Sequence, residues 1–354
     1  MSRFWSDITR ELTPYVPGEQ PQHQRLVKLN TNECPYPPSP RVLEAIASID
    51  GDALRRYPDP TSLALRESIG GFYGLSPEQV FVGNGSDEVL AHLFQGLLNH
   101  ESPLLFPEIS YSFYPVWCRL YRMGCRQVPL RPDFTVDVED YSAGQGAIII
   151  PNPNAPTGIA LELAAIERLL NNNPDAVVVI DEAYIDYGGE SAARLVPHYE
   201  NLVVVQTLSK SRSLAGLRVG LALAQAPLIE ALTRVKDSFN SYPLDAIAQR
   251  AAKAAFEDVA YFDECRHRVM ATRERLSTVL PGMGFEVLPS TANFLFARHP
   301  GKAAAVLFQG LREQGIIVRH WDKPQIADYL RISVGTDEEC ERLLDVLGDV
   351  LATG

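Results

Sequence analysis

Short apolar runs alternate with amphipathic stretches through the middle of this chain. Val80–Val82, Pro103–Phe106, Ala147–Ile150, Val177–Ile180, Leu202–Val205 and Val219–Ala222 are three or four residues each and mostly aliphatic. Runs this short and apolar at every position predict strands buried on both faces, and the helical stretches between them predict an α/β fold with a mostly parallel sheet between helices. Long helical patterns fill residues 227–280. A smaller α+β unit follows, with strands near Phe285–Leu288, Asn293–Ala297, Ile316–Val318 and Tyr329–Val334. Its last helix starts near Thr336, where Asp337, Glu338 and Glu339 suit the positive end of the helix dipole. At the other end, residues 1 to about 38 carry many prolines and no periodicity, and read as an irregular arm. Ser39-Pro40 then opens a helix bearing Val42, Leu43, Ile46 and Ile49, with Ser39 as N-cap. The expected organisation is an arm (1–38), a large domain (39–245) and a small C-terminal domain (246–354). Repeats and low-complexity linkers are absent.

Composition narrows the class. A chain of 354 residues buries a sizeable core and suits two domains. Its 46% hydrophobic and 21% charged residues are those of a soluble globular protein. A net charge of −12 argues against a nucleic-acid surface. Five cysteines without a Cys-x-x-Cys pair read as reduced packing thiols, and seven histidines without ligand spacing argue against a metal site. The N-terminal residues include Arg3, Asp7, Arg10 and Glu11 and no apolar signal core, and no apolar run approaches membrane-spanning length. The expected compartment is the cytoplasm.

Candidate chemistry sits at the ends of the strand-like runs. Lys210 follows Leu202–Val205 and lies among Thr207, Ser209, Ser211, Ala215 and Gly216. Partial desolvation there lowers a lysine's pKa and makes its amine nucleophilic enough to form an imine. The neighbouring hydroxyls and Arg218 suit a phosphate. A reactive amine beside a phosphate site fits a pyridoxal 5′-phosphate pocket; the plain alternative is a lysine in a surface loop. The run Ala176–Ile180 ends in Asp181-Glu182-Ala183-Tyr184. Asp181 suits the carboxylate that keeps the cofactor's pyridine nitrogen protonated, and Tyr184 a hydrogen bond to its phenolic oxygen; an acid capping the next segment is the alternative. Val80–Val82 runs into Gly83-Asn84-Gly85-Ser86-Asp87-Glu88 and then an amphipathic helix. Its glycines let backbone approach an anion and Ser86 offers N–H groups at a helix start, although an ordinary strand-to-helix turn reads the same way. The third glycine of a dinucleotide fingerprint and the Gly-Lys-Ser/Thr of a P-loop are both missing.

Taken together, Gly85-Ser86-Asp87-Glu88, Asn152-Pro153-Asn154-Ala155-Pro156-Thr157-Gly158, Asp181-Glu182-Ala183-Tyr184, Ser209-Lys210 and Leu217-Arg218-Val219-Gly220 occur in the order and spacing of fold-type-I pyridoxal-phosphate aminotransferases. More narrowly the chain resembles the histidinol-phosphate aminotransferases, through Leu12-Thr13-Pro14-Tyr15, Leu29–Glu33, Arg56–Asp59, Ile317-Val318-Arg319 and Leu330–Gly335. The resemblance runs from about Thr13 to the C-terminus. It implies that Lys210 holds the cofactor and serves as general acid–base. Gly85, Ser86, Asp87, Ser209 and Arg218 gather at the cofactor's phosphate end, Tyr111 stacks on its ring, and Asp181 and Tyr184 contact the ring's polar atoms. Arg331 meets a substrate carboxylate and Arg319 a substrate phosphate, while Tyr15, Asn30 and Glu33 complete the substrate pocket. Tyr57 is implied to reach the neighbouring subunit's site in a homodimer. One position departs from the family: where a second asparagine is usual before Pro-Thr-Gly, this chain has Ala155, so either Asn154 shifts to bond the ring oxygen or Tyr184 does so alone. The implied reaction exchanges the amino group of L-glutamate with imidazole acetol phosphate, giving L-histidinol phosphate and 2-oxoglutarate. A broader aromatic or aspartate-type aminotransferase and an amino-acid-phosphate decarboxylase are the alternatives. A regulator built on this fold and a nucleotide-binding dehydrogenase are disfavoured.

Overall fold

The computed structural model describes residues 2–20, 26–141 and 146–353. Seven strands form the large sheet in the order Val80–Asn84, Val219–Ala224, Leu202–Thr207, Val178–Asp181, Ile148–Pro151, Leu104–Pro107, Cys125–Val128. Val219–Ala224 runs antiparallel to both of its neighbours, and all other pairs are parallel. Period-two alternation explains why these strands are apolar throughout. Ile148, Ile150, Val178, Ile180 and Val204 pack on one face with Leu65, Ile69 and Ile166, whereas Ile149, Val179, Val203 and Val205 pack on the other with Leu90, Leu93, Phe94 and Trp117. The edge strand Cys125–Val128 went unread in the sequence because its first three residues are exposed and two of them polar.

The helix expected after Ser39 spans Pro40–Ala47, and Ser39 accepts a hydrogen bond from the Val42 N–H. The smaller unit is a four-stranded antiparallel sheet, ordered Arg319–His320, Tyr329–Ser333, Phe294–Arg298, Glu286–Val287. Its core joins Leu295, Leu330 and Ile332 to Leu276 of the helix Val259–Gly282, Leu307 of Ala304–Glu313 and Leu343 of Asp337–Ala352. Thr336 caps that last helix in a reciprocal box with Glu339.

Three expectations need correction. The arm is not irregular throughout: Asp7–Glu11 is helical, and Val27–Lys28 pairs in parallel with Ile316–Ile317, burying Val27 and Leu29 in the small unit's core. Residues 21–25 of the expected arm lie outside the described residues. The run Ile316–Val318 is not one strand of the small sheet, because Ile316–Ile317 pairs with the arm and only the following Arg319–His320 joins that sheet. Finally, Ala246–Glu257, expected in the small domain, packs Ala248, Ala251, Ala252, Ala255 and Phe256 into the large core, since its apolar stripe faces Pro40–Ala47 and Leu63–Tyr73. We therefore propose that the small unit begins within Val259–Gly282.

Candidate active site

Strand ends and loop starts converge on one cavity of about 580 Å³. It lies beyond the C-terminal ends of the parallel strands, where open α/β sheets place ligands, and the arm and the small unit close it from the other side. Tyr15, Asn30, Glu33, Ser86, Asp87, Tyr111, Asp181, Tyr184, Ser209, Lys210, Arg218, Arg319 and Arg331 all line it.

Asp181 is the last residue of its strand, in register with Pro151 and Val205 on either side. Its side chain is buried; Tyr114 donates to Oδ2 at 2.7 Å, while Oδ1 has no partner. Burial pushes the carboxyl up to about 6, against the opposing effect of the Tyr114 bond. An unpaired buried acceptor at the cavity wall is costly and calls for a donor or cation. The adjacent Glu182 points the other way, accepting from the Ala192 N–H at 2.7 Å and Gln206 Nε2 at 2.9 Å, and holds the strand end in place.

Lys210 sits in the turn after Leu202–Thr207, and its Nζ donates to the Thr31 carbonyl at 2.8 Å. Burial and the nearby Arg331 cation bring the amine down from 10.5 to about 8. The Tyr184 ring is 5.7 Å from the amine. The Tyr184 hydroxyl accepts from Asn32 Nδ2 at 3.2 Å, and Asn32 is itself fixed by Ser333, which donates to its Oδ1 at 2.7 Å.

At the opposite wall the helix Gly85–Leu93 starts directly from its strand, with Gly85 at φ 76° and Ser86 in the first turn. A Cβ on Gly85 would meet the Arg218 guanidinium at 2.5 Å, and one on Gly220 would strike the Ser86 backbone. The positive φ at Gly85 and the backbone in the way at Gly220 make both positions glycine. Arg218 donates to Asp87 at 3.0 Å and approaches Ser209 Oγ at 3.5 Å. Tyr111 donates to the other oxygen of Asp87 at 3.0 Å and stands edge-on to Tyr114, with centroids 5.6 Å apart.

On the side of the arm and the small unit Arg331 donates to the Asn30 carbonyl at 2.7 Å, and the Asn30 amide donates to the Glu19 carbonyl at 2.9 Å. Burial alone would raise the Glu33 carboxyl, but its ion pair with Lys28 and the bond donated by the Thr31 hydroxyl hold it below the usual range. Tyr15 stacks on Phe113 at 4.7 Å.

Three predicted site residues lie elsewhere. Gly85 is buried immediately behind the wall formed by Ser86. Asn154 does not line the cavity: its amide donates to the Ile109 carbonyl at 2.9 Å, and Ala155 occupies the lining position. Tyr57 is 81% exposed, outside the cavity, and stacks on Tyr242 at 4.6 Å. Sequence reasoning missed Thr31, Asn32, Tyr114 and Trp321. Tyr114 stands in the aromatic run beside Tyr111, and Trp321 two residues after Arg319, so proximity to residues already singled out was the available signal. Among the described residues no cluster of metal-ligating side chains is present, and no helix is long and apolar enough to cross a membrane.

The family model for aminotransferase class I and II matches residues 24–347. The chain belongs to that family. A histidinol-phosphate aminotransferase of Bradyrhizobium diazoefficiens is 59% identical over 351 residues, covering 99% of this chain and all of that one. The solved histidinol-phosphate aminotransferase of Sinorhizobium meliloti superposes with a TM-score of 0.88 at 23% identity, over 100% of this chain and 99% of the other. The L-threonine-O-3-phosphate decarboxylase of Porphyromonas gingivalis superposes with a TM-score of 0.77 at 23% identity, over 92% of this chain and 100% of the other. The fold is thus that of fold-type-I aminotransferases, and transaminases and decarboxylases share it.

Proposed function

We propose that this protein is a pyridoxal-phosphate-dependent histidinol-phosphate aminotransferase. The residues present fit the cofactor: Asp181 offers an unpaired buried oxygen for a protonated ring nitrogen, and Lys210 an amine that is neutral in part near pH 8. Ser86, Ser209 and Arg218 line one wall together and form a cradle for its phosphate, with Gly85 behind Ser86 leaving room for the Arg218 guanidinium. When bound, the cofactor supplies an electron sink for the pair left as a substrate Cα–H bond breaks. Lys210 would hold the cofactor through Nζ, and the same amine, when free, would move the proton at substrate Cα. Asp181 would supply the charge that keeps the ring nitrogen protonated, Tyr184 would serve the ring oxygen without Asn154, and Tyr111, its hydroxyl fixed by Asp87, would lie against the ring. Residues of the arm and of the small unit, Tyr15 and Arg331 among them, line the other end of the site.

The observation that carries the substrate assignment is the pair Arg319 and Arg331, set across from each other and both facing the cavity. Arg331 takes a carboxylate of L-glutamate or 2-oxoglutarate, and Arg319 the phosphate of L-histidinol phosphate, with Tyr15, Asn30 and Glu33 around the rest of the substrate. The high identity to proteins named for this activity favours transamination over decarboxylation. The enzyme acts as a homodimer in which Tyr57, exposed in the single chain, reaches the other protomer's site. Its five free thiols accord with a reducing cytoplasm. The two half-reactions, measured separately, test the assignment. Arg319→Ala should penalise histidinol phosphate more than glutamate, by about 1–3 kcal/mol; equal losses would make Arg319 structural.

A further inference from the structure

The two arginines pose a problem of their own. The strand Arg319–His320 runs against Tyr329–Ser333 in a register that puts Arg319 directly opposite Arg331. Like charges so placed repel. Arg331 is anchored by the Asn30 carbonyl at 2.7 Å and by the Phe294 ring, 5.3 Å away, while its Nε is buried without a partner. Arg319 makes no hydrogen bond or ion pair among the described residues, and its one anchor is the ring of Trp321.

Trp321 follows Arg319 by two residues, so the period of extended chain returns it to the same face. The Arg319 guanidinium lies 5.3 Å from its ring and the Arg331 guanidinium 5.2 Å, within the range of cation–π attraction. All three residues line the cavity.

We propose that Trp321 is a specificity-determining residue: its indole holds Arg319 against the repulsion of Arg331 and keeps it turned into the cavity for a phosphate-bearing substrate. This rests on the reading of Arg319 as the phosphate contact. The effect is one-sided because the anchors are unequal. Without the indole, Arg331 keeps Asn30 and Phe294, whereas Arg319 is released toward solvent. Loss of Trp321 therefore weakens phosphate recognition and spares carboxylate recognition.

The test titrates inorganic phosphate, and separately succinate, into the cofactor-loaded enzyme by calorimetry. Trp321→Leu should bind phosphate about tenfold more weakly, the equivalent of one cation–π contact in a desolvated site. It should bind succinate within about twofold of wild type, and Trp321→Phe, which keeps a π face, should restore phosphate binding to within about threefold. Trp321→Gln carries the same expectation as the leucine variant should that variant not retain its cofactor. Phosphate binding unchanged in Trp321→Leu but weakened in Arg319→Ala overturns the role of Trp321 alone. Equal weakening of phosphate and succinate also overturns it, by making the indole a general support. Phosphate binding unchanged in Arg319→Ala overturns the phosphate assignment itself.

Discussion

Replacing Asp181 by asparagine should stabilise the cofactor-free protein while weakening its grip on the cofactor. Burial raises the Asp181 carboxyl from 3.8 to about 6, roughly two units, or about 3 kcal/mol at 1.36 kcal/mol per unit. The folded carboxyl holds its proton more tightly than the unfolded one, so its contribution to stability falls as pH rises from about 4 to about 6. At pH 7.5 the wild-type apoprotein bears the whole penalty of a buried anion with one unpaired oxygen. The asparagine side chain bears no charge; its oxygen still accepts from Tyr114, and its amide takes the unpaired position at a cost of about 1 kcal/mol. The net expectation is an apoprotein about 1–2 kcal/mol more stable than wild type at pH 7.5, a difference that disappears near pH 4. Cofactor binding should stabilise the variant much less than wild type, because the ring nitrogen no longer meets a negative charge. Urea unfolding of both proteins, with and without cofactor, at the two pH values reads all of this without an activity assay. An apoprotein no more stable than wild type, with an undiminished gain from cofactor, would refute the role given to Asp181.

Other consequences follow from the same geometry. Borohydride treatment of the yellow, cofactor-loaded protein should fix the cofactor to Lys210, seen by peptide mass mapping; labelling at another lysine would move the site. In the apoprotein, the rate of cofactor uptake should rise with pH through about 8, because the neutral amine is the reactive form. Arg331→Leu removes a cation that lowers this value, so the rise should move to higher pH; an unmoved profile would separate the two residues. Mixed dimers of a Lys210→Ala chain with a Tyr57→Ala chain should regain activity that neither chain shows alone, since a composite site gathers both lesions in one pocket. No recovery, with Tyr57→Ala clearly impaired by itself, would place Tyr57 within its own subunit.

Much of this was legible in the chain because the parallel strands are buried on both faces, and such strands write themselves as unbroken apolar runs. The cavity opens at their C-terminal ends, where open α/β sheets place ligands, so Asp181 and Lys210 could be read as lining residues from position as well as residue type. The misses have equally physical origins. Cys125–Val128 is an edge strand with polar residues facing water, and nothing in its pattern marks it as sheet. Ala246–Glu257 is amphipathic, but amphipathicity does not say which core a stripe will face. Val27–Lys28 is too short for any periodicity and is defined only by its distant partner Ile316–Ile317. In the site, residue type identified the groups that bear charge, yet gave no view of the partners that aim them. Tyr114 under Asp181, Asn32 on Tyr184 and Trp321 between two arginines are products of tertiary contact.

The most direct measurement incubates purified protein with L-glutamate and imidazole acetol phosphate and follows 2-oxoglutarate. Stoichiometric 2-oxoglutarate and L-histidinol phosphate should form, dependent on added cofactor in the apoprotein and abolished by Lys210→Ala. Carbon dioxide in place of 2-oxoglutarate from a phosphorylated amino acid, or equal turnover of aromatic oxo acids that carry no phosphate, would contradict the function assigned to this chain.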